Sequence, residues 1–154
     1  MSRKTTKSML LRIDDMSEFK PITENQKLAV ESWDEGDNLI LSGSAGTGKT
    51  FLACAEALKL IKRYAKYRKI VIVKSVTTLK NEEIGFLKGN LREKMEPFMF
   101  SFVHNFEKIV GQTITSRLRE LKTIEEMPIA YMRGINLDRS IIIIDEAQNI
   151  SQEN

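Results

Sequence analysis

The sequence predicts a parallel α/β fold, and three observations carry that prediction. Short apolar runs of strand length alternate along the chain with segments of helical periodicity. The run Ile141-Ile142-Ile143-Ile144 is entirely β-branched and ends in Asp145-Glu146, the pattern of a central parallel strand buried on both faces. Gly43-Ser44-Ala45-Gly46-Thr47-Gly48-Lys49-Thr50 follows the apolar stretch Asn38–Leu41 and precedes apolar residues at helical spacing, namely Phe51, Cys54, Ala55, Leu58, Ile61 and Ala65. Strand, glycine-rich loop and helix in that order form the opening unit of a phosphate-binding α/β sheet.

The remaining elements follow from local chemistry. Residues 1–20 read as a flexible basic lead-in, with Arg3, Lys4 and Lys7, and residues 21–154 as the N-terminal part of one domain. Thr23 is placed to cap a helix running to about Trp33, and Asp34–Asp37 turns the chain into the strand at Asn38–Leu41. Lys69–Lys74 is a second strand, and Ser75–Asn90 a polar loop containing Gly85 and Gly89. Leu91–Lys108 reads as helical with an interruption near Pro97, and Thr115–Thr123 as a further helix. Pro128–Met132 is expected as a third strand, and Gly134–Arg139 leads into the acidic strand.

Composition narrows the function classes. The chain has 154 residues, 42% hydrophobic and 29% charged, which suits one soluble domain with a substantial core. Cys54 is the only cysteine and lies on the apolar stripe of the loop helix, so a disulfide framework is excluded and a reducing cytoplasm is expected. The apolar stretch Met9–Leu11 is too short for a signal peptide, and no segment approaches the roughly 18 apolar residues of a membrane span. The formal net charge of +3 does not by itself establish nucleic-acid binding. Between Lys59 and Lys80, however, there are eight Lys/Arg and no acid. That block reads first as a solvated helix end favoured by the helix dipole, and alternatively as a phosphate-backbone contact.

The chemistry-bearing residues converge on a nucleoside triphosphate. In the loop, glycines let the backbone N–H groups of Gly43, Ser44, Ala45, Gly46, Thr47 and Gly48 curl around phosphate oxygens. Lys49 is spaced to reach the β- and γ-phosphates, and the Thr50 hydroxyl to ligate Mg²⁺. Asp145, at the C-terminal end of its strand, can hold the same ion through its water shell, as in the hhhhDE element of such sites. Glu146 is then positioned to orient or deprotonate a water attacking the γ-phosphate. Gln26 has two readings: it completes a capping box with Thr23, or its amide hydrogen-bonds the adenine edge. Phe98, Phe100, Phe102 and Phe106 read as core rather than as a base-stacking surface. His104 has no companion for a metal site and reads as structural or surface.

Several stretches together resemble the PhoH-like ATPase family, P-loop proteins close to the superfamily 1 helicases. They are Thr23–Val30, Gly43–Thr50, Ile84–Lys94 with its Gly-Phe-Leu-Lys-Gly, Ala130-Tyr131-Met132-Arg133-Gly134, and Asp145-Glu146-Ala147-Gln148-Asn149. The resemblance implies a RecA-like fold, ATP binding with Mg²⁺, ATPase activity linked to RNA, and association into rings in some members. This chain departs from the family pattern at Lys74-Ser75, where Arg-Pro is usual, at Lys88 in place of proline, and at Asn90 in place of aspartate. After Ser151, which reads as a helix N-cap, only Gln152, Glu153 and Asn154 follow, too few to nucleate a helix. The resemblance places beyond that point a further strand, with a sensor residue, between the loop strand and the acidic strand. The expectation is therefore a P-loop NTPase sheet lacking its C-terminal strands, as a piece of a longer protein or a shortened form. Alone, such a chain is expected to be poorly soluble or to need assembly.

The leading functional reading is an ATP-binding and ATP-hydrolysing protein acting on or with RNA. The alternative is a nucleotide-gated binding module with little turnover. A small-molecule kinase fits less well, because the Asp145-Glu146 pair suits water activation better than transfer to a bound acceptor.

Overall fold

A computed structural model describes residues 23–43, 48–74 and 91–147, the side chains of 91–95, 97 and 98 excepted. Helix α1 spans Glu24–Asp34, α2 Lys49–Arg63, α3 Leu91–Val110 and α4 Gln112–Glu120. Strands β1 (Lys69–Lys74), β2 (Ile124–Pro128) and β3 (Ser140–Asp145) form a parallel sheet in the order β2-β1-β3. The expected α/β class is thus observed, as a three-stranded parallel sheet among the described residues.

Register explains the layers. Ile70 and Ile72 of β1 align with Ile141 and Ile143 of β3, and these four side chains share one face of the sheet. They join Ala53, Cys54, Ala57, Leu58 and Ile61 of α2 with Phe102, Phe106 and Ile109 of α3 in the main core. Val71 and Val73 point the other way and meet Met127, Ile129, Tyr131, Met132 and Leu137. Cys54 is fully buried, which raises its thiol pKa well above the ordinary range, so it is a small core residue.

Only five residues, 64–68, join α2 to β1. At about 1.5 Å per residue in a helix and 3.3 Å in a strand, α2 and β1 are of matching length. Packed in one core, they run antiparallel. The N-terminus of α2 therefore lies at the sheet edge where β1 and β3 end, with Lys74 in register with Asp145.

Several elements differ from expectation. Residues 38–43 form no strand, although Leu39-Ile40-Leu41 has the composition of one. Both edges of β1 are already taken by β2 and β3, so no ladder position beside it remains. Among the described residues β3 is accordingly an edge strand, not a central one: Ile142 is 38% and Ile144 42% exposed on its second face. The third strand is Ile124–Pro128, and 129–132 is a short 3₁₀ helix. Two glutamates obscured that strand. Glu126 shares the core-side face with Ile72 and receives Arg119 of α4 at 2.7 Å, while Glu125 pairs with Lys69 on the opposite face. Helix α3 is continuous through Pro97, which forfeits one backbone hydrogen bond while the buried Met99, Phe102 and Phe106 downstream keep the segment docked. The lead-in, the loop 75–90, residues 148–154 and the Phe98 side chain lie outside the described residues.

Candidate nucleotide site

Gly48 is the N-cap of α2 and adopts φ 81°, ψ 15°, a left-handed conformation that a residue without Cβ reaches at little cost. Among the described residues no side chain caps this helix, and its first turn contains no acid. Its leading N–H groups therefore retain the partial positive charge that attracts an anion. Lys49 and Thr50 occupy the first two helical positions and are half-buried. The Lys49 ammonium donates to the Gly43 carbonyl, bringing the two bounds of the loop together. Ser44, Ala45, Gly46 and Thr47 lie outside the described residues.

Gln26 reaches this point from α1. Its backbone N–H donates to Thr23 Oγ1 at 3.2 Å and its Oε1 accepts from Thr23 N–H at 3.3 Å, so the capping box is formed. The amide nitrogen of the same side chain lies 3.8 Å from where a Cβ on Gly48 would stand. Cap formation uses the oxygen, and the nitrogen end lies beside Gly48. The capping reading of Gln26 is thus observed.

At the end of β3, Asp145 Oδ2 lies 3.6 Å from Lys74 Nζ, and Asp145 Oδ1 accepts the Glu146 N–H at 3.0 Å. Glu146 is exposed and sits at φ 54°, a conformation unusual for a side-chain-bearing residue and common at functional sites. Sequence reasoning passed over Lys74, treating it as the end of an apolar run. Only the register, which sets it beside Asp145, assigns it to the site.

These donors suit a metal–triphosphate. Lys49 and the open helix terminus are cationic, and Thr50 and Asp145 supply the hard oxygen ligands Mg²⁺ requires. Asp145 already faces an ammonium, that of Lys74.

A glycine-led helix start and an acid-tipped parallel strand on one sheet edge are shared by many P-loop proteins, and the sequence match narrows the choice. The PhoH-like protein family profile matches residues 18–154. The chain belongs to that family. It is 37% identical over 127 residues to a PhoH-like protein of Bacillus subtilis, covering 82% of this chain and 39% of the relative. A PhoH-like protein of Mycobacterium tuberculosis H37Rv is 35% identical over 135 residues, covering 88% of this chain and 38% of the relative. Protein PhoH2 of Mycolicibacterium smegmatis is 29% identical over 112 residues, covering 73% and 26% respectively. The chain thus spans about two fifths or less of the length of these PhoH-like relatives, and the family profile match, over residues 18–154, includes every residue of the site described above.

Proposed function

We propose that this PhoH-like chain binds ATP with Mg²⁺ through the start of α2 and the end of β3, and that it hydrolyses the γ-phosphate in work on RNA. The observation that carries the reading is the acid-free N-terminus of α2 behind left-handed Gly48, with no side-chain cap among the described residues, on the sheet edge that ends in Asp145. In this reading Lys49 exchanges its bond with Gly43 for phosphate oxygens. The backbone N–H groups of 44–48 and the helix start hold the remaining phosphate charge. Thr50 and Asp145 would hold the ion, which would supply positive charge beside the phosphates. Glu146 accepts a proton from, or orients, the attacking water. The Gln26 amide, next to Gly48, bonds the base.

A second reading, a nucleotide-gated module with little turnover, is favoured by the exposure of Glu146, because a base is most effective where water is excluded. Calorimetric titration with ATP–Mg²⁺ and a phosphate-release assay separate the two. Lys49→Ala should abolish detectable binding, because the phosphates lose their main cationic partner. Glu146→Gln should keep the affinity and lose turnover. Unchanged affinity in Lys49→Ala would remove the site assignment. Tight binding without turnover in the native chain would establish the gated module.

A further inference from the structure

The opposite edge of the sheet, where the strands begin, carries a row of cations that the nucleotide chemistry does not use. The Arg68 N–H donates to the Arg139 carbonyl at 2.8 Å, and the Ile70 N–H donates to the Thr123 carbonyl at 2.7 Å. Lys69 is in register with Ser140 and Ile70 with Ile124. Extended back by one and two residues, that register sets Arg139 on one side of Arg68 and Lys122 on the other. All three are exposed, on neighbouring strand entries about 4.8 Å apart. Beside them, in the turn from α2 into β1, Arg63 lies over the Tyr64 ring and Lys66 over the rings of Tyr64 and Tyr67. Those rings meet edge to face at 6.5 Å and stiffen the turn that delivers Arg68.

Stability does not explain the row. Like charges on neighbouring strands repel. Arg139 adopts left-handed φ, 56°, where glycine or asparagine would be less strained, whereas Lys122, at 55°, closes the C-terminal cap of α4, its N–H donating to the Arg119 carbonyl at 3.1 Å. Arg68 and Arg139 are at no helix end, so the helix dipole that accounts for Lys62 and Arg63 on α2, and for Lys122 just past the end of α4, does not account for them. Among the described residues none of Arg68, Lys122 and Arg139 has a carboxylate partner, and Asp138 is the only acid in residues 64–68, 121–123 and 135–139. At Arg68 and Arg139 like charges adjoin and a left-handed φ is kept without a compensating contact, which is the signature of a site.

We propose that Lys122, Arg68 and Arg139 bind the phosphates of an RNA strand on the edge opposite the nucleotide. The inference rests on the reading of this protein as one that works with RNA, and it adds the surface. Because the two edges are separated by the length of β1, ATP and RNA can be held together.

The test is fluorescence anisotropy of a labelled oligouridylate, titrated at salt concentrations between roughly 50 and 200 mM. Affinity for a single strand falls with salt with a slope of about −0.7 per phosphate neutralised, so three contacts contribute a slope of about −2. The triple variant Arg68→Gln/Lys122→Asn/Arg139→Asn, with asparagine chosen for its tolerance of left-handed φ, should bind at least tenfold more weakly and lose that slope. Arg68→Gln alone, at an unstrained position, should lose about 0.7 of it, and Arg68→Lys/Arg139→Lys should retain it. ATP affinity, read at the other edge, should be unchanged in all of them. Native binding with the same slope in Arg68→Gln and in the triple variant would overturn this surface and leave the RNA reading standing. No binding by the native chain would overturn both.

Discussion

Replacing Lys59 by methionine tests how α1, which carries Gln26, is held to the rest of the fold. Helix α1 buries no residue completely; it meets α2 through Trp33, which packs on the main core, and through a charged cluster. Lys59 Nζ lies 2.9 Å from Asp34 Oδ2 at the end of α1 and 3.5 Å from Glu56 Oε1 one turn earlier on α2. The side chains of Lys59, Asp34 and Glu56 are 39%, 27% and 5% exposed. Asp34 Oδ1 and Glu56 Oε2 are buried without a hydrogen-bond partner among the described residues, so the lysine is what offsets two adjacent carboxylates. Methionine keeps the apolar stem and deletes the charge. Removing one partner of a fully buried pair costs about 3–5 kcal/mol, and of an exposed pair about 0–1. With Glu56 buried and Lys59 two fifths exposed, the loss should be about 2 kcal/mol, a fall in Tm of about 4–8 °C for a chain of this size.

The pH dependence fixes the mechanism. Burial raises the Glu56 carboxyl above its ordinary value, with Lys59 opposing the shift and Asp34 adding to it. A raised value in the fold means that the protonated form is favoured there. Its contribution to stability is present at low pH and is lost as pH rises through the raised value. Deleting Lys59 removes the opposing influence, so the deficit of the variant should be larger at about pH 7 than at about pH 5. Urea unfolding followed by circular dichroism, with the slope m unchanged, gives both numbers. Adding Glu56→Gln should recover more than half of the loss. A deficit under about 0.5 kcal/mol, or one equal at both pH values, would refute this account of the cluster.

Two further outcomes follow from the nucleotide edge. Gln26→Ala should destabilise the chain by no more than about 1 kcal/mol, since Thr23 still accepts the residue 26 N–H, and should reduce the preference for ATP over GTP in competition binding. A stability change with unaltered base preference would leave Gln26 as a cap alone. Lys74→Met should lower the Mg²⁺ concentration needed for half-maximal ATP binding several-fold, because an ammonium 3.6 Å from Asp145 Oδ2 opposes a second cation by about 1 kcal/mol in a water-like medium. A higher requirement would show that Lys74 acts on the phosphates and not on the metal carboxylate.

Where sequence and structure agree, a short-range signal was sufficient. Lys69–Lys74 is an apolar run bounded by lysines, and Thr23 with Gln26 is a box closed within one turn, so both were legible with no tertiary information. Gly48-Lys49-Thr50 was legible because the left-handed turn and the helix start are encoded side by side. The failures share a different cause. Ile124–Pro128 contains Glu125 and Glu126, whose suitability for a strand depends on Lys69 and Arg119 arriving from other elements. The phenylalanines of α3 divide by helix face: Phe102 and Phe106 are core, whereas Phe100 is 73% exposed and stacks on His104. Lys74 joins the site only through register with a strand far along the chain. Long-range partners, not local composition, decided each of these.

The segment leading into the loop shows what such a partner does for function. Leu39-Ile40-Leu41 has strand composition, yet Ile40 is 95% exposed and the segment makes no ladder. On β3, Ile142 and Ile144 are partly exposed as well, and the outer N–H and C=O groups of that strand have no strand beside them among the described residues. A parallel strand seated against β3 would cover Ile142 and Ile144 and offer its own far edge to Leu39–Leu41. Gly43 would then be anchored by a ladder on one side, as Lys49 is anchored by α2 on the other. A phosphate loop gains from such anchoring because its N–H groups must be aimed before the anion arrives, and every residue ordered in advance is entropy not lost on binding. In the sheet described here the helix side of the loop is fixed by the core and the strand side is not. Nucleotide affinity should therefore depend on whatever covers the outer edge of β3.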